Sequence, residues 1–205
     1  MIIGLGFLDF YGREWYNMSV FEKLTEEVTN FLKRSAGGLP KSDWVEWVAE
    51  QNLFYDQCDI FNGCWFHRTQ MPKYPQHEKC KCSLAAIPTP IPNITAFAMC
   101  DIRKFSEYIF DVEKSRGKTI LFELWGYNVA DSEFLQQLYI TQAIQKYCAG
   151  QYVYKGAGME YTRAEIIIDI PDKTGGAQHI KSGWCIMPQG TIKLATPFSG
   201  YAEED

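Results

Sequence analysis

The residues best suited to chemistry lie in the stretch 76–82, where one imidazole and two thiols fall close together as His77, Cys80 and Cys82. Two further thiols, Cys58 and Cys64, precede them. Zinc is bound by thiolates and imidazoles, commonly four of them, and a tight turn can supply two neighbouring ligands. We therefore predict a structural zinc site formed by Cys58, His77, Cys80 and Cys82, with Cys64 as the alternative to Cys58.

Two other interpretations of this stretch stay open. In the first, Cys80 and Cys82 are ordinary loop thiols. In the second, His77 lowers the pKa of Cys80 and makes its thiolate a nucleophile. No Asn or Asp is recognisably placed to orient that imidazole, so a structural role is favoured over a catalytic one.

A second set of candidate residues lies in the C-terminal half and comprises Tyr161, Arg163, His179 and Lys181. A metal-independent ribonuclease needs a base, an acid and cations for the developing phosphorane charge. These four residues have the required chemistry and fall on or beside predicted strands. The competing interpretation is that they are solvent-facing strand residues, which is the more frequent role of such side chains.

The N-terminal half should position the first set. A helix is predicted from Ser19, which can form a capping box with Glu22, to Gly37. A short second helix is predicted from Trp44 to about Asn52. Periodicity then disappears from residue 54 to residue 92, and so long an irregular segment needs something to hold it, such as a bound ion.

The C-terminal half should position the second set, with helices first and strands afterwards. Helices are predicted after Asp101, over 118–127 and over 132–149, and strands over 166–170, 179–187 and 191–197. The strands should form an antiparallel meander, the first of them buried on much of both faces. The predicted fold class is α+β, with a helical and Cys/His-rich module over 1–92 and an α+β domain over 93–205.

Three short motifs carry a resemblance to a known family. They are Asp56-Gln57-Cys58, Asn62-Gly63-Cys64-Trp65-Phe66 and the stretch from Pro75 to Leu84. Together they resemble the C-terminal motif of the phage Mu F-like minor head morphogenesis proteins. The resemblance implies a structural role in interaction or assembly, with phage head components as protein partners.

The segment from Phe105 to Pro197 resembles an uncharacterised domain at the ends of phage minor head proteins and bacterial polymorphic toxins. The motifs that carry this resemblance are Gly117-Lys118, Leu124 to Tyr127, Tyr161 to Arg163, Gly183-Trp184 and Leu194 to Pro197. It implies an alternative function as a ribonuclease-like toxin effector, which would act on RNA and pair with an immunity protein. A zinc-stabilised adaptor that binds another protein is a further alternative.

Composition narrows these alternatives. A net charge of -5 argues against a general phosphate-binding surface, although a local basic site in the C-terminal half stays open. Five of the seven cysteines crowd into residues 58–100, which suits reduced thiols and a local metal site better than a disulfide framework. No apolar stretch approaches the roughly 20 residues that span a bilayer. We expect a cytoplasmic or virion-associated protein that needs no membrane.

Overall fold

The computed structural model describes residues 42–50, 57–87, 97–158 and 160–203. The chain divides into two compact units, Met1–Lys41 and Ser42–Asp205, and all described residues belong to the second. The described residues of this unit combine helices with two β-sheets, which confirms the predicted α+β class. The predicted helix from Ser19 to Gly37 and the predicted boundary at residues 92–93 lie outside the described residues.

The smaller sheet has three antiparallel strands in the order β2-β1-β3, namely β1 Trp44–Val48, β2 Trp65–His67 and β3 Ser83–Ala86. The predicted helix beginning at Trp44 is therefore wrong. Its residues are mostly aromatic or β-branched, which suits a strand, and Trp44, Val45 and Trp47 are all buried. The predicted irregularity of residues 54–92 is interrupted by β2 and β3, which are short strands.

Helices occupy the middle of the chain. A helical stretch that includes the π-helical turn Phe105–Ile109 is followed by helix α1, Lys118–Leu124, and helix α2, Ser132–Cys148. The predictions over 118–127 and 132–149 are confirmed to within three residues at each end. Helix α2 buries one face, with Leu135, Tyr139, Ala143 and Tyr147 at helical spacing.

The larger sheet has five strands in the order β4-β8-β7-β6-β5. They are β4 Phe97–Met99, β5 Val153–Ala157, β6 Thr162–Asp172, β7 Gly176–Ile186 and β8 Thr191–Tyr201. Strands β5 to β8 form the predicted type of antiparallel meander, and β4 pairs in parallel with β8. The predicted burial of both faces of β6 is wrong, because Ile167 is 41% exposed while Ile166 and Ile168 are fully buried.

Hydrogen bonds connect the smaller sheet both to helix α2 and to the larger sheet. The hydroxyl of Tyr147 on α2 donates to the carbonyl oxygen of Trp65 on β2 at 2.6 Å. The Gln189 N–H, in the turn between β7 and β8, donates to the Gly63 carbonyl oxygen at 2.8 Å. The two sheets therefore share one core. Among the described helices, none has the length and apolar character needed to cross a membrane.

Candidate metal centre

Cys58 is fixed by a short helical turn that leads towards β2. It precedes the 3₁₀ turn Asp59–Phe61, and its carbonyl oxygen accepts a hydrogen bond from the Phe61 N–H at 3.0 Å. Its side chain is buried in the core. The thiol is thus held in one place by local backbone geometry.

His77 and Cys80 are brought together by a turn of their own. The Cys80 N–H donates to the His77 carbonyl oxygen at 3.1 Å, which closes the turn. On either side, the Tyr74 hydroxyl donates to the Cys82 carbonyl oxygen at 2.8 Å, and Gln76 Nε2 donates to the Lys73 carbonyl oxygen at 2.6 Å. The loop before β3 is therefore folded back on itself.

The structure places Cys58, His77 and Cys80 in one group whose ligand atoms all lie within 4.8 Å of one another. The Sγ atoms of Cys58 and Cys80 are 3.8 Å apart. Tetrahedral zinc with Zn–S bonds of about 2.3 Å separates two sulfur ligands by about 3.8 Å. The group could hold a metal ion with little movement of these two thiols.

Burial and hydrogen bonding give the thiols different acidities. Burial raises the pKa of Cys58, and the neighbouring Cys82 and Cys80 thiols raise it further. At Cys80 burial also acts to raise the pKa, but hydrogen bonds from backbone groups of Cys82 and Gln76 and from the neighbouring thiols outweigh it, and the pKa is lowered. Cys80 is therefore the thiol more readily present as the thiolate, the form that binds metals.

The two remaining cysteines of this segment are separated by the fold. Cys82 is buried, and its thiol interacts with both Cys58 and Cys80. Cys64 lies elsewhere in the core, with its Sγ 3.8 Å from the Ile60 carbonyl oxygen and 3.7 Å from that of Ile186. Burial raises the pKa of Cys64 to about 12. The structure thus groups Cys58, and not Cys64, with His77 and Cys80; the predicted fourth ligand Cys82 lies beside this group but outside the set of atoms within 4.8 Å of one another.

The four residues predicted for ribonuclease chemistry do not form one cluster. Across strands β6 and β7, Arg163 is opposite Cys185, Lys181 is opposite Ile167 and His179 is opposite Asp169. The distance along β6 from residue 163 to residue 169 is about 20 Å, since a strand rises about 3.3 Å per residue. Tyr161 precedes the strand, near Arg163 and far from His179. The catalytic role of this set stays a prediction.

His179 instead belongs to a charged group that the sequence did not indicate. Its Nδ1 contacts Asp169 Oδ1 at 2.6 Å, and Lys146 Nζ on α2 contacts Asp169 Oδ2 at 2.6 Å. Burial acts to raise the pKa of Asp169, but the hydrogen bonds from Lys146 and His179 outweigh it and lower the pKa. Only the alternation along β6, which puts Asp169 on the face opposite the buried isoleucines, hints at this position in the sequence.

Comparisons with protein-family models, with curated proteins and with solved structures found no match to this chain. The resemblance to phage minor head proteins stays a prediction from short motifs. The side-chain geometry described above is the remaining basis for a function, and the Cys58, His77 and Cys80 group is its most distinctive part.

Proposed function

We propose that Cys58, His77, Cys80 and Cys82 bind a structural zinc ion, and that the protein serves in protein–protein assembly of the phage minor head type. The observation that carries the zinc proposal is the clustering of three ligand atoms within 4.8 Å. Two thiolates with an imidazole suit zinc better than they suit magnesium or calcium, which take oxygen ligands.

The site is proposed to be structural because Cys82 can fill the fourth position. This residue is only 9% exposed, and its thiol interacts with both Cys58 and Cys80. A catalytic zinc keeps one position open for water or substrate, whereas a structural zinc takes four protein ligands. Four protein ligands would leave no room for a substrate.

The ion would join two connections of the smaller sheet. Cys58 lies before β2, and Cys80 and Cys82 lie before β3, while β2 and β3 flank β1 on opposite sides. Residues 58 and 80 are 22 positions apart, so a shared ion closes a loop and restricts the unfolded chain as a disulfide does. A small sheet of short strands is only marginally stable by itself, so such a restraint would add to its stability.

Exposed apolar side chains support an interaction role. Ile120 and Leu124 lie one turn apart on one face of α1 and are 60% and 68% exposed. Exposed apolar side chains that cluster on one face are typical of protein-binding surfaces. We propose a protein partner, such as a phage head component, and a location in the cytoplasm or in the virion.

The zinc proposal is tested by elemental analysis of the purified, untagged chain. We expect about one equivalent of zinc per chain, retained through dialysis and lost in the Cys80→Ser and Cys58→Ser variants. Cys148→Ser is the matched control, because Cys148 is a half-buried thiol outside the group. A metal-free wild type whose thiols all react with a thiol reagent under native conditions would contradict the proposal.

The assembly role is tested separately. We expect capsid and portal genes beside the gene for this chain, and the chain itself in purified particles. Zinc retention without either result would favour a zinc-stabilised adaptor for another protein. A neighbouring immunity gene, with RNA degradation when the wild type is expressed in bacteria, would favour the toxin alternative.

A further inference from the structure

A cavity at the β4 edge of the five-stranded sheet has the features of a ligand site. Its volume is about 770 Å³, and its walls come mainly from β4, β8 and the segment between β4 and the first helical turn. Cavities of about 300–1,000 Å³ are typical of small-molecule sites. None of the residues that line it belongs to the metal centre.

One wall of the cavity is apolar and unusually exposed. Phe97 and Met99 lie on the same, outward face of β4 and are 61% and 46% exposed, and Tyr161 is 41% exposed. All three line the cavity. An aromatic ring left open to solvent in a cavity provides a surface on which a planar base can stack.

The register of the sheet places cationic side chains beside this wall. Arg163, Cys185 and Lys193 are direct partners across β6, β7 and β8, so they share one row. Residues paired across neighbouring strands lie on the same face of a sheet. Lys193 lines the cavity together with Lys104, whose Nζ donates to the Ala195 carbonyl oxygen at 2.7 Å.

The three positive charges all act on the Cys185 thiol. Burial raises the pKa of the Cys185 thiol, and Lys193, Lys104 and Arg163 each oppose that rise. The pairing of Arg163, Cys185 and Lys193 across the strands, with Lys104 in the same cavity lining as Cys185 and Lys193, agrees with this shared effect on the thiol. Like charges on one side of a cavity repel, and a bound anion relieves the repulsion.

Acidic groups offset only part of this positive charge. Asp101 is the one acidic side chain among the described residues that line the cavity; its carboxylate is held by the Arg103 guanidinium at 2.6 Å and also interacts electrostatically with Lys104. Within the part of the chain that the structure describes, neither Arg163 nor Lys193 forms an ion pair. The cavity is a local basic site on a protein whose net charge is -5.

The geometry points to a nucleotide site, in which the phosphate lies beside Lys104, Lys193 and Arg163 and the base stacks on Phe97 or Tyr161. Three cations suit the double charge of a phosphomonoester better than the single charge of a carboxylate. The apolar aromatic wall suits the base, which is the part of the ligand that the cations do not bind. This site is independent of the zinc proposal, because the two use different residues.

The test is isothermal titration of the full-length chain with the common ribonucleoside 5′-monophosphates. Adenosine and inorganic phosphate are titrated in parallel, as ligands that each lack one half of the nucleotide. We expect saturable binding of at least one nucleotide, weakened about tenfold by Lys193→Gln or Arg163→Gln and also weakened by Phe97→Ser. Lys114→Gln is the charge-matched control, since Lys114 is exposed and does not line the cavity.

A second readout uses the cysteines. The bound nucleotide should slow alkylation of Cys185 by iodoacetamide, measured by mass spectrometry, and leave Cys148 unaffected, because Cys185 lines the cavity and Cys148 does not. The proposal is overturned if no monophosphate binds, or if Lys114→Gln weakens binding as much as Lys193→Gln does. Inorganic phosphate that binds as tightly as the nucleotide would overturn the role of the aromatic wall.

Discussion

Nδ1 of His179 lies 2.6 Å from Oδ1 of Asp169, and the two residues are direct partners across β6 and β7. The second carboxylate oxygen of Asp169 contacts Lys146 Nζ on α2. One carboxylate therefore connects two strands and a helix. Its side chain is 43% exposed, so solvent screens part of the interaction.

We expect Asp169→Asn to lower stability at neutral pH by about 0.5–1 kcal/mol. The folded-state pKa of Asp169 is lowered, chiefly by Lys146 and His179 acting against the effect of burial. The carboxylate thus stabilises the fold above its unfolded pKa of about 3.9, and this contribution is lost as the pH falls through the folded-state pKa. Urea unfolding at about pH 7 and about pH 3 measures the difference, which should shrink at the lower pH.

Glu123→Gln is the control for that experiment, because Glu123 is an exposed carboxylate on α1. It should change stability little at either pH. An Asp169→Asn variant that loses as much stability at acidic pH as at neutral pH would show that the charge of Asp169 is not the cause.

The Gln142 side chain hydrogen-bonds to the backbone of β6, and its removal should lower the stability of the protein. Its Nε2 donates to the Asp169 carbonyl oxygen at 2.7 Å, and its Oε1 accepts from the Asp169 N–H at 2.8 Å. We expect Gln142→Ala to destabilise the protein by about 1–3 kcal/mol, because two backbone groups lose their partner. Gln137→Ala on the exposed face of α2 is the matched control, and equal losses in thermal unfolding would contradict the role of Gln142.

Both the backbone conformation and the lack of space for a side chain favour glycine at position 150. Its φ is +71°, and an added Cβ would lie 2.8 Å from Cδ2 of His67. Gly117 has a φ of +86° with nothing within 4 Å of an added Cβ. We expect Gly150→Ala to cost more stability than Gly117→Ala by about 1 kcal/mol, the difference being the steric term. Equal losses for the two variants in urea unfolding would indicate backbone strain alone.

Removal of the proposed zinc should loosen the smaller sheet before the larger one. The four ligands lie beside β2 and β3, whereas β6 and β7 pair over 11 residues without help from the loop. In hydrogen exchange, chelation should speed exchange in β1 to β3 well above that in β6 and β7. The Cys148→Ser protein should respond to the chelator as the wild type does, and uniform acceleration across both sheets would contradict a local role for the ion.

The parts of the fold that the sequence predicts well are long and periodic. Helix α2 repeats buried residues such as Leu135, Tyr139 and Ala143 over 17 residues, and β6 to β8 are separated by recognisable turns. The five residues of β1 are too few to distinguish a period of 2 from one of 3.6, and burial on both faces removes the alternation. Strand β4 has only three residues and is defined by its pairing with β8. No local sequence pattern predicts that pairing.

The candidate metal site was only partly predictable for a similar reason. The short spacing from His77 to Cys80 is a local property, and the turn that joins them follows from it. The choice between Cys58 and Cys64 depends on the direction in which each side chain leaves the turn Asp59–Phe61. That direction is set by tertiary packing, which places Cys64 beside Ile186 on β7.

The turn between β7 and β8 touches both proposed sites. The Gln189 N–H bonds to Gly63, in the segment that links Cys58 to β2, and the next residue, Gly190, accepts from the Phe97 N–H at 3.2 Å. The segment that follows Cys58 and the aromatic wall of the cavity thus both hydrogen-bond to the same short turn. If zinc occupancy alters nucleotide affinity through this turn, the nucleotide must alter zinc affinity by the same factor, because binding equilibria linked through one protein are reciprocal.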